Sequence, residues 1–558
     1  MSVKAFLENF EVLTDTSTAG VELKQIIIQL AVQGKIDTQS LDDEPAYELL
    51  HRIQEERAKL IKAGMLKEIK LPKIALVDAP YLLPRGWEWV RLGFAVTFIG
   101  GSQPPKSKFI YQEREGYTRL IQIRDYKTDA FKTYIPNELA NRPCSEDDVM
   151  IGRYGPPVFQ ILRGLEGTYN VALMKAEPIK SSFSKDYLFY LLQEPRIQKT
   201  VIAESERTAG QTGVRKELLN SFVVGLPPLA EQKRIVGKCD RLLMLCDEIE
   251  KRQQQRQESI VRMNESAVAQ LFSSQNPNDF RQHWQRISNN FDLLYSIPET
   301  IPKLRQAILQ LAVQGKLDRQ DPNDEPATNL LKKLKFEKEQ LLQEKRFLKS
   351  EKLAPITLEG IPYKIPPSWI LTRIGIICGS IVPNRDKPKS FSGGFPWVTL
   401  SNFDKKGIRL LNNHSGIGLS QEEIIEFNAR IIPNGSVVMS CVGRFGLVAV
   451  IEKDVVTNQQ IHGFVIPNNL SPEYVAYVIK AHTDLLESSA TSTTISYLNK
   501  TRCESIPFPL PPLAEQKRIV AKVDRLMSLC DGLEGKLKET RSHSEKLMEV
   551  AAREVLAV

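Results

Sequence analysis

Several signatures of chemistry are missing from this chain of 558 residues, and each absence narrows its function. No Gly-x-x-x-x-Gly-Lys-Ser/Thr phosphate loop occurs, so we expect no ATP use by this chain itself. An adenine methyltransferase would need an acidic/amide-Pro-Pro-aromatic loop and a glycine-rich cofactor loop. The nearest approach, Asp78-Ala79-Pro80-Tyr81, lacks the middle proline and has no glycine-rich partner before it. The seven cysteines are scattered and include no Cys-x-x-Cys pair, which fits reduced, buried thiols rather than a disulfide frame or a zinc site. The six histidines form no metal-spaced pair. No apolar run approaches the roughly 18 residues of a membrane span. The start, Met1 to Phe10, carries Glu8 and lacks a basic region followed by an apolar one, so no signal peptide is expected and the compartment expected is the cytoplasm.

What is present is an ordinary soluble composition, 42% hydrophobic and 25% charged, in a chain long enough for about three or four domains or sub-domains. A net charge of +8 makes a polyanionic partner plausible, but it is thin for this length and no Lys/Arg tail accompanies it.

The informative feature is repetition. Leu226-Pro227-Pro228-Leu229-Ala230-Glu231-Gln232-Lys233-Arg234-Ile235-Val236 recurs letter for letter from Leu510 to Val520. Leu30-Ala31-Val32-Gln33-Gly34-Lys35 recurs from Leu311 to Lys316, and Asp43-Glu44-Pro45-Ala46 recurs from Asp324 to Ala327. All these copies lie about 280 residues apart, so one half-molecule is written twice. Two copies are too few for a solenoid but suit a pseudo-symmetric body, and DNA has matching two-fold geometry.

After each Leu-Pro-Pro-Leu-Ala-Glu-Gln a helix should begin, with proline in its first turn and Glu231 or Glu515 at the positive end of the dipole. Ile235, Cys239, Leu242, Cys246 and Ile249, and then Ile519, Val523, Leu526, Cys530, Leu533 and Leu537, follow the spacing of a coiled-coil seam. Gly532 and Gly535 are expected to kink or fray the second copy. Short amphipathic helices should end at Gly34 and Gly315. Charged helical stretches follow at 49–67 and 330–352, read as solvated or hairpin helices, and 273–297 reads as a polar connector. Two longer stretches, opening at Pro84-Arg85-Gly86-Trp87 and Pro366-Pro367-Ser368-Trp369, are rich in short β-type runs. Apart from these openings and an Arg-aromatic-Gly element (Arg153-Tyr154-Gly155 and Arg444-Phe445-Gly446), they barely resemble each other. A repeated scaffold with diverged inserts is what a reader of two unlike half-sites needs.

In these residues the chain resembles the specificity (S) subunit of a type I restriction–modification system, over essentially its whole length. The resemblance implies an α+β fold with two globular target recognition domains. Long antiparallel coiled-coil helices would join them with two-fold pseudo-symmetry. The expected order is an N-terminal conserved helical region (1–81), recognition domain 1 (82–226), a central conserved region (227–361), recognition domain 2 (362–510) and a C-terminal conserved helix (511–558). The implied partners are double-stranded DNA, two methyltransferase subunits and restriction/translocase subunits. S-adenosylmethionine, ATP and magnesium would be held by those partners and none by this chain. The segment before Val21 has no copy, and its role stays open. The short helix ending at Gly34 is expected to pack beside the C-terminal helix.

Base edges and phosphates are contacted by Arg, Lys, Asn, Gln, Ser and Thr. The candidates in the first insert are Gln122, Arg124, Lys127, Arg153, Tyr154, Gln211, Arg215 and Lys216. In the second they are Thr399, Ser401, Asn402, Lys405, Lys406, Arg444, Thr493, Asn499 and Lys500. The recurrence of Arg153 and Arg444 suggests a shared duty at a phosphate or a turn. The alternatives are a self-contained DNA methyltransferase, which binding of labelled S-adenosylmethionine would reveal, and a coiled-coil scaffold with no DNA role, which a gel-shift would reveal.

Overall fold

The computed structural model describes residues 19–557 except 37, 156, 208–212, 275, 348–352, 354–355, 357–362, 383–386, 412–416 and 491–495. Gln211, Thr493 and the segment before residue 19 lie outside the described residues. Two compact units emerge: Met1–Arg256 with Thr540–Val558, and Gln257–Glu539. Among the described residues no helix is long and apolar enough to cross a membrane.

The helices include α1 (Ala19–Val32), α2 (Ala46–Lys62), α3 (Lys185–Leu191), α4 (Lys216–Ser221), α5 (Leu229–Phe272), α6 (Pro277–Asn289), α7 (Ile301–Val313), α8 (Ala327–Gln343), α9 (Pro472–Ala481), α10 (Lys500–Glu504) and α11 (Leu513–Ala557); the repeated strings lie at the ends of α1, α2, α5, α7, α8 and α11. Helices α1 and α7 stop where expected. Gly34 (φ +69°) and Gly315 (φ +66°) adopt the left-handed conformation, and the N–H groups of Lys35 and Lys316 close back on the carbonyls of Leu30 and Leu311. Helices α5 and α11, of 44 and 45 residues, both start inside the Leu-Pro-Pro-Leu-Ala-Glu-Gln string.

Three expectations need correction. Helix α11 runs unbroken through Gly532 and Gly535; packing of Cys530, Leu533 and Leu537 on the core outweighs a propensity cost of about 1 kcal/mol per glycine. The polar stretch at 273–297 is largely helical: Asn276 caps α6 by accepting from Asn278 and Asp279, proline occupies N1, and Ile287, Leu294 and Tyr295 are buried. Helices α2 and α8 are docked on one face through Ala46, Leu49 and Ile53, and through Ala327, Leu330 and Leu334. The matching cations Arg57 and Lys338 donate to the carbonyls of Gly93 and Gly375. Helix α1 makes ion pairs to α5, from Lys24 to Asp247 (2.7 Å) and Glu250 (2.9 Å), and the part of α11 from Thr540 onward belongs to the same compact unit as α1. Its counterpart Arg305 on α7 pairs with Asp531 and Glu534 of α11. The start of each seam is also committed locally, since Ile235 and Cys239 join the core of the first unit and Ile519, Val523 and Cys530 that of the second.

In the first unit β1 (Glu88–Arg91) pairs antiparallel with the last strand of the insert, β10 (Val223–Leu226), tying the insert's ends together. Between them lie β2 (Val96–Gly100), β3 (Tyr117–Ile121), β4 (Tyr134–Pro136), β5 (Pro143–Cys144), β6 (Val149–Gly152), β7 (Ile161–Leu162), β8 (Gly167–Tyr169) and β9 (Leu173–Pro178). They form two sheets, ordered β2-β9-β6-β7 and β4-β3-β8-β5, with β3 and β8 parallel.

The second unit repeats this with β11 (Ile370–Arg373), β12 (Gly379–Ile381), β13 (Phe395–Val398), β14 (Gly418–Leu419), β15 (Ile431–Ile432), β16 (Val437–Ser440), β17 (Val448–Val450), β18 (Val455–Thr457), β19 (Ile461–Val465) and β20 (Pro507–Leu510). Strands β11 and β20 close the ends, and the sheets run β12-β19-β16-β17 and β14-β13-β18-β15, with β13 and β18 parallel. Inserts that barely share letters therefore share one topology, because alternating burial and strand register admit many sequences.

Candidate nucleic-acid interface

The repeated letters converge on one buried joint per unit. The carboxylate of Glu231 accepts from the Trp87 indole Nε1 (2.8 Å), the Thr38 hydroxyl (3.0 Å) and the Gln39 amide (2.8 Å). Glu515 accepts from Trp369 Nε1 (2.9 Å) and Gln320 (3.1 Å). Gln232 accepts from the backbone N–H of Ser184, which caps α3, and donates to the carbonyls of Ser182 and Pro227. Gln516 accepts likewise from Ser471, the cap of α9, and donates to the Pro511 carbonyl. Arg234 clasps Asp43, and Arg518 clasps Asp318 and Asp324. A β carbon on Gly34 would fall 2.3 Å from Pro84 Cγ, and one on Gly315 equally close to Pro366 Cγ. Each duplicated string thus fastens a recognition insert to the root of a long helix. Asp78-Ala79-Pro80-Tyr81 belongs to the same joinery, since Asp78 pairs with Arg91 (3.0 Å) and the Tyr81 hydroxyl donates to the Val32 carbonyl.

The candidates in the inserts then fall into register. Gln122 and Thr399 follow the parallel strands β3 and β13, each heading a 3-10 turn with a capping box. The Gln122 N–H donates to Asp125, and the Thr399 N–H donates to Asn402, both at 2.8 Å. Asp125 and Asn402 are buried. Asn402 is therefore a turn former rather than a base reader, and Thr399 and Gln122 are in part spent on the same geometry. The turns present Arg124 and Ser401 outward. The Arg124 guanidinium lies 5.5 Å from the Phe131 ring centroid, at the edge of a cleft of about 440 Å³ lined also by Tyr111, Glu113, Lys132 and Tyr134. Those lining residues carried no motif and were missed. Lys127 and Lys405 are exposed.

Lys406 is engaged elsewhere: its ammonium pairs with Glu534 of α11 (2.9 Å), next to Arg305, and Lys480 donates to the carbonyls of Lys406 and Gly407. The cations Lys538, Lys406 and Arg305 hold the Glu534 carboxyl down at about 2. Arg215 and Asn499 both head short helices, α4 and α10; Arg215 reaches Glu204 (3.3 Å) and Asn499 accepts from the Arg502 N–H. Lys216 and Lys500 follow them, and Lys500 lies 3.6 Å from Glu504.

Arg153 and Arg444 do not occupy equivalent positions. The Arg153 N–H donates to Ala172 and its carbonyl accepts from Val214, whereas the equivalent bonds in the second unit belong to Cys441, with Gln460 and Leu498. Arg444 lies three residues further on, exposed in a turn between Gly443 and Gly446. Arg153 itself is half-buried, its guanidinium 5.0 Å from the Tyr154 ring centroid.

Residues 374–540 match the family model described as the type I restriction modification DNA specificity domain. The chain is 28% identical over 557 residues to the EcoEI specificity subunit of Escherichia coli, covering 93% of this chain and 91% of that protein. It is likewise 28% identical over 552 residues to the EcoAI specificity subunit of Escherichia coli, with the same coverage. A solved structure of the HsdS subunit from Thermoanaerobacter tengcongensis aligns over 86% of this chain and 99% of its own at 18% identity, with a TM-score of 0.42. Over nearly its whole length the chain is thus similar to type I restriction–modification specificity subunits, and residues 374–540 match their DNA specificity domain.

Proposed function

We propose that the chain reads a two-part DNA target, one part with each recognition domain, and positions methyltransferase and restriction subunits on it without a catalytic site of its own. The two long helices act as the spacer between the readers, and two methyltransferase copies dock on the frame. S-adenosylmethionine, ATP and magnesium belong to those partners. The observation that carries this reading is the contrast between joint and payload. The Trp–Glu, Ser–Gln and Arg–Asp bonds made by Glu231, Gln232 and Arg234 recur at Glu515, Gln516 and Arg518. Yet the turns after β3 and β13 present an arginine in one domain and a serine in the other. An identical mount with different exposed groups supports two readers of unlike sequences.

The test is a swap of residues 89–224 for the matching insert of a related chain, followed by mapping of methylated adenines in host DNA. The expected result is a change in one half of the target with the other half kept. A change in both halves together refutes the two-reader assignment.

A further inference from the structure

The first recognition domain contains a cationic recess that the second one lacks. Strand β2 ends at Gly100, and a β carbon there would lie 3.8 Å from Arg153 Nη1 and 4.0 Å from Lys216 Nζ. Glycine thus leaves the space between the two cations unfilled. The next residue, Gly101, is pressed against the Asn170 carbonyl, where a β carbon would fall at 1.9 Å, so the backbone turn at the recess is fixed. Arg142 adds a third positive charge nearby, and the repulsion of Arg153 and Arg142 reinforces burial in lowering the Lys216 pKa. The carboxylate that bears on Lys216, Glu217, acts more weakly than either guanidinium. Among the described residues none of Arg142, Arg153 and Lys216 forms an ion pair. Arg153 Nη1 donates to the Val171 carbonyl (3.4 Å), while its Nε is buried with no hydrogen-bond partner among the described residues. Buried donors in folded proteins are normally satisfied, so an unsatisfied guanidinium N–H beside two cations without an ion pair calls for an anionic acceptor.

The second domain provides an internal control. Strand register sets Val382 at the place of Gly100, because Gly100 faces Met174 as Val382, one residue beyond the Ile381–Gly463 pair, faces His462. Cys441 occupies the place of Arg153 and is buried. Lys500 occupies the place of Lys216, but Glu504 stands 3.6 Å from it, where the first domain has the neutral Asn220. All three features of the recess are therefore cancelled in the second copy.

We infer that Arg153 and Lys216, which flank Gly100, form a site for one backbone phosphodiester of DNA on the first recognition domain only, with Arg142 adding positive charge. This rests on the DNA-reading function proposed above. A phosphodiester carries one negative charge and two free oxygens, which suits two cationic donors flanking a small recess. The contact positions the duplex against the first domain and carries no sequence information.

The experiment uses the full chain assembled with its methyltransferase subunits and a duplex bearing its mapped target, with binding followed by fluorescence anisotropy over a salt series. Loss of one neutralised phosphate should flatten the slope of log K against log[salt] by about 1. Arg153→Gln with Lys216→Gln is expected to show that change and to weaken binding alike on matched and mismatched duplexes. Gly100→Asp tests the same site without removing a cation: the β carbon fits, and the new carboxylate occupies the anion's place, so binding should fall similarly. Arg52→Gln, the same charge change on the frame, serves as control, and thermal melts verify folding of every variant. A scan of single methylphosphonate linkages should find one neutral linkage, at the half-site of the first domain, that weakens wild type and not the double variant. An unchanged salt slope in the double variant and in Gly100→Asp, with wild-type binding intact, overturns the phosphate site alone. A wild-type assembly that binds no duplex overturns the DNA-reading function as well.

Discussion

Replacing Glu231 by alanine should unfasten the first recognition domain. The substitution leaves the Trp87 indole N–H and the Thr38 hydroxyl without an acceptor, and both residues are buried. Gln39, the third donor, is exposed and returns to water. A buried donor stripped of its partner costs about 1–3 kcal/mol, so the two together cost about 2–6 kcal/mol. For a unit of this size each kcal/mol lowers Tm by about 2–4 °C, which gives a fall of roughly 5–20 °C. Because the chain divides into two compact units, the loss should be confined to one calorimetric transition, and Glu515→Ala should strike the other. Glu231→Gln should fall between, since it keeps one acceptor oxygen but turns an N–H toward a donor. Differential scanning calorimetry of the full chain, with limited proteolysis to assign each transition, measures this. Lys233→Ala, exposed one turn-position away, is the reference. A Glu231→Ala melt within about 1 °C of that reference refutes the idea that the joint holds the domain.

Two glycine substitutions should act in opposite directions. Gly34→Ala combines a left-handed φ with a clash at Pro84 and should destabilise the first unit by more than about 2 kcal/mol, whereas Gly532→Ala meets nothing within 4 Å and should stabilise α11 by up to about 1 kcal/mol; chemical denaturation of each variant decides. Acid should weaken the second unit in two windows. His462, held neutral by burial and by Lys500, is lowered from 6.5 to about 3, and Glu534 from 4.5 to about 2. In both windows the unfolded chain binds the proton that the folded one refuses, so stability rises with pH and is lost as pH falls; denaturation midpoints of Glu534→Gln should show a shallower dependence below pH 4.5, with the His462 contribution remaining. Seven residues added to each long helix extend it by about 10 Å, about three base pairs, so the unread gap in the methylation pattern should lengthen by that amount while the letters stay.

The sequence by itself determined the joints. Two identical strings a fixed distance apart demand the same local structure twice, and local rules then give the helix starts near Glu231 and Glu515 and the glycine stops at Gly34 and Gly315. The purpose of those letters was not legible, because Glu231 meets Trp87 across 144 positions of chain and no local pattern announces such a bond. Tertiary structure also decided between similar-looking residues. Arg153 and Arg444 share a three-letter context, yet strand register pairs Arg153 with Cys441. Lys406 looked like a free cation in a basic turn, but the fold carries it to Glu534. Gln122 and Thr399, in unrelated stretches of sequence, became equivalent because each follows the parallel strand of its sheet. Helix caps depend on a few neighbouring residues and are written locally. Register, burial and charge compensation depend on which distant segment arrives opposite, and only the folded chain specifies that.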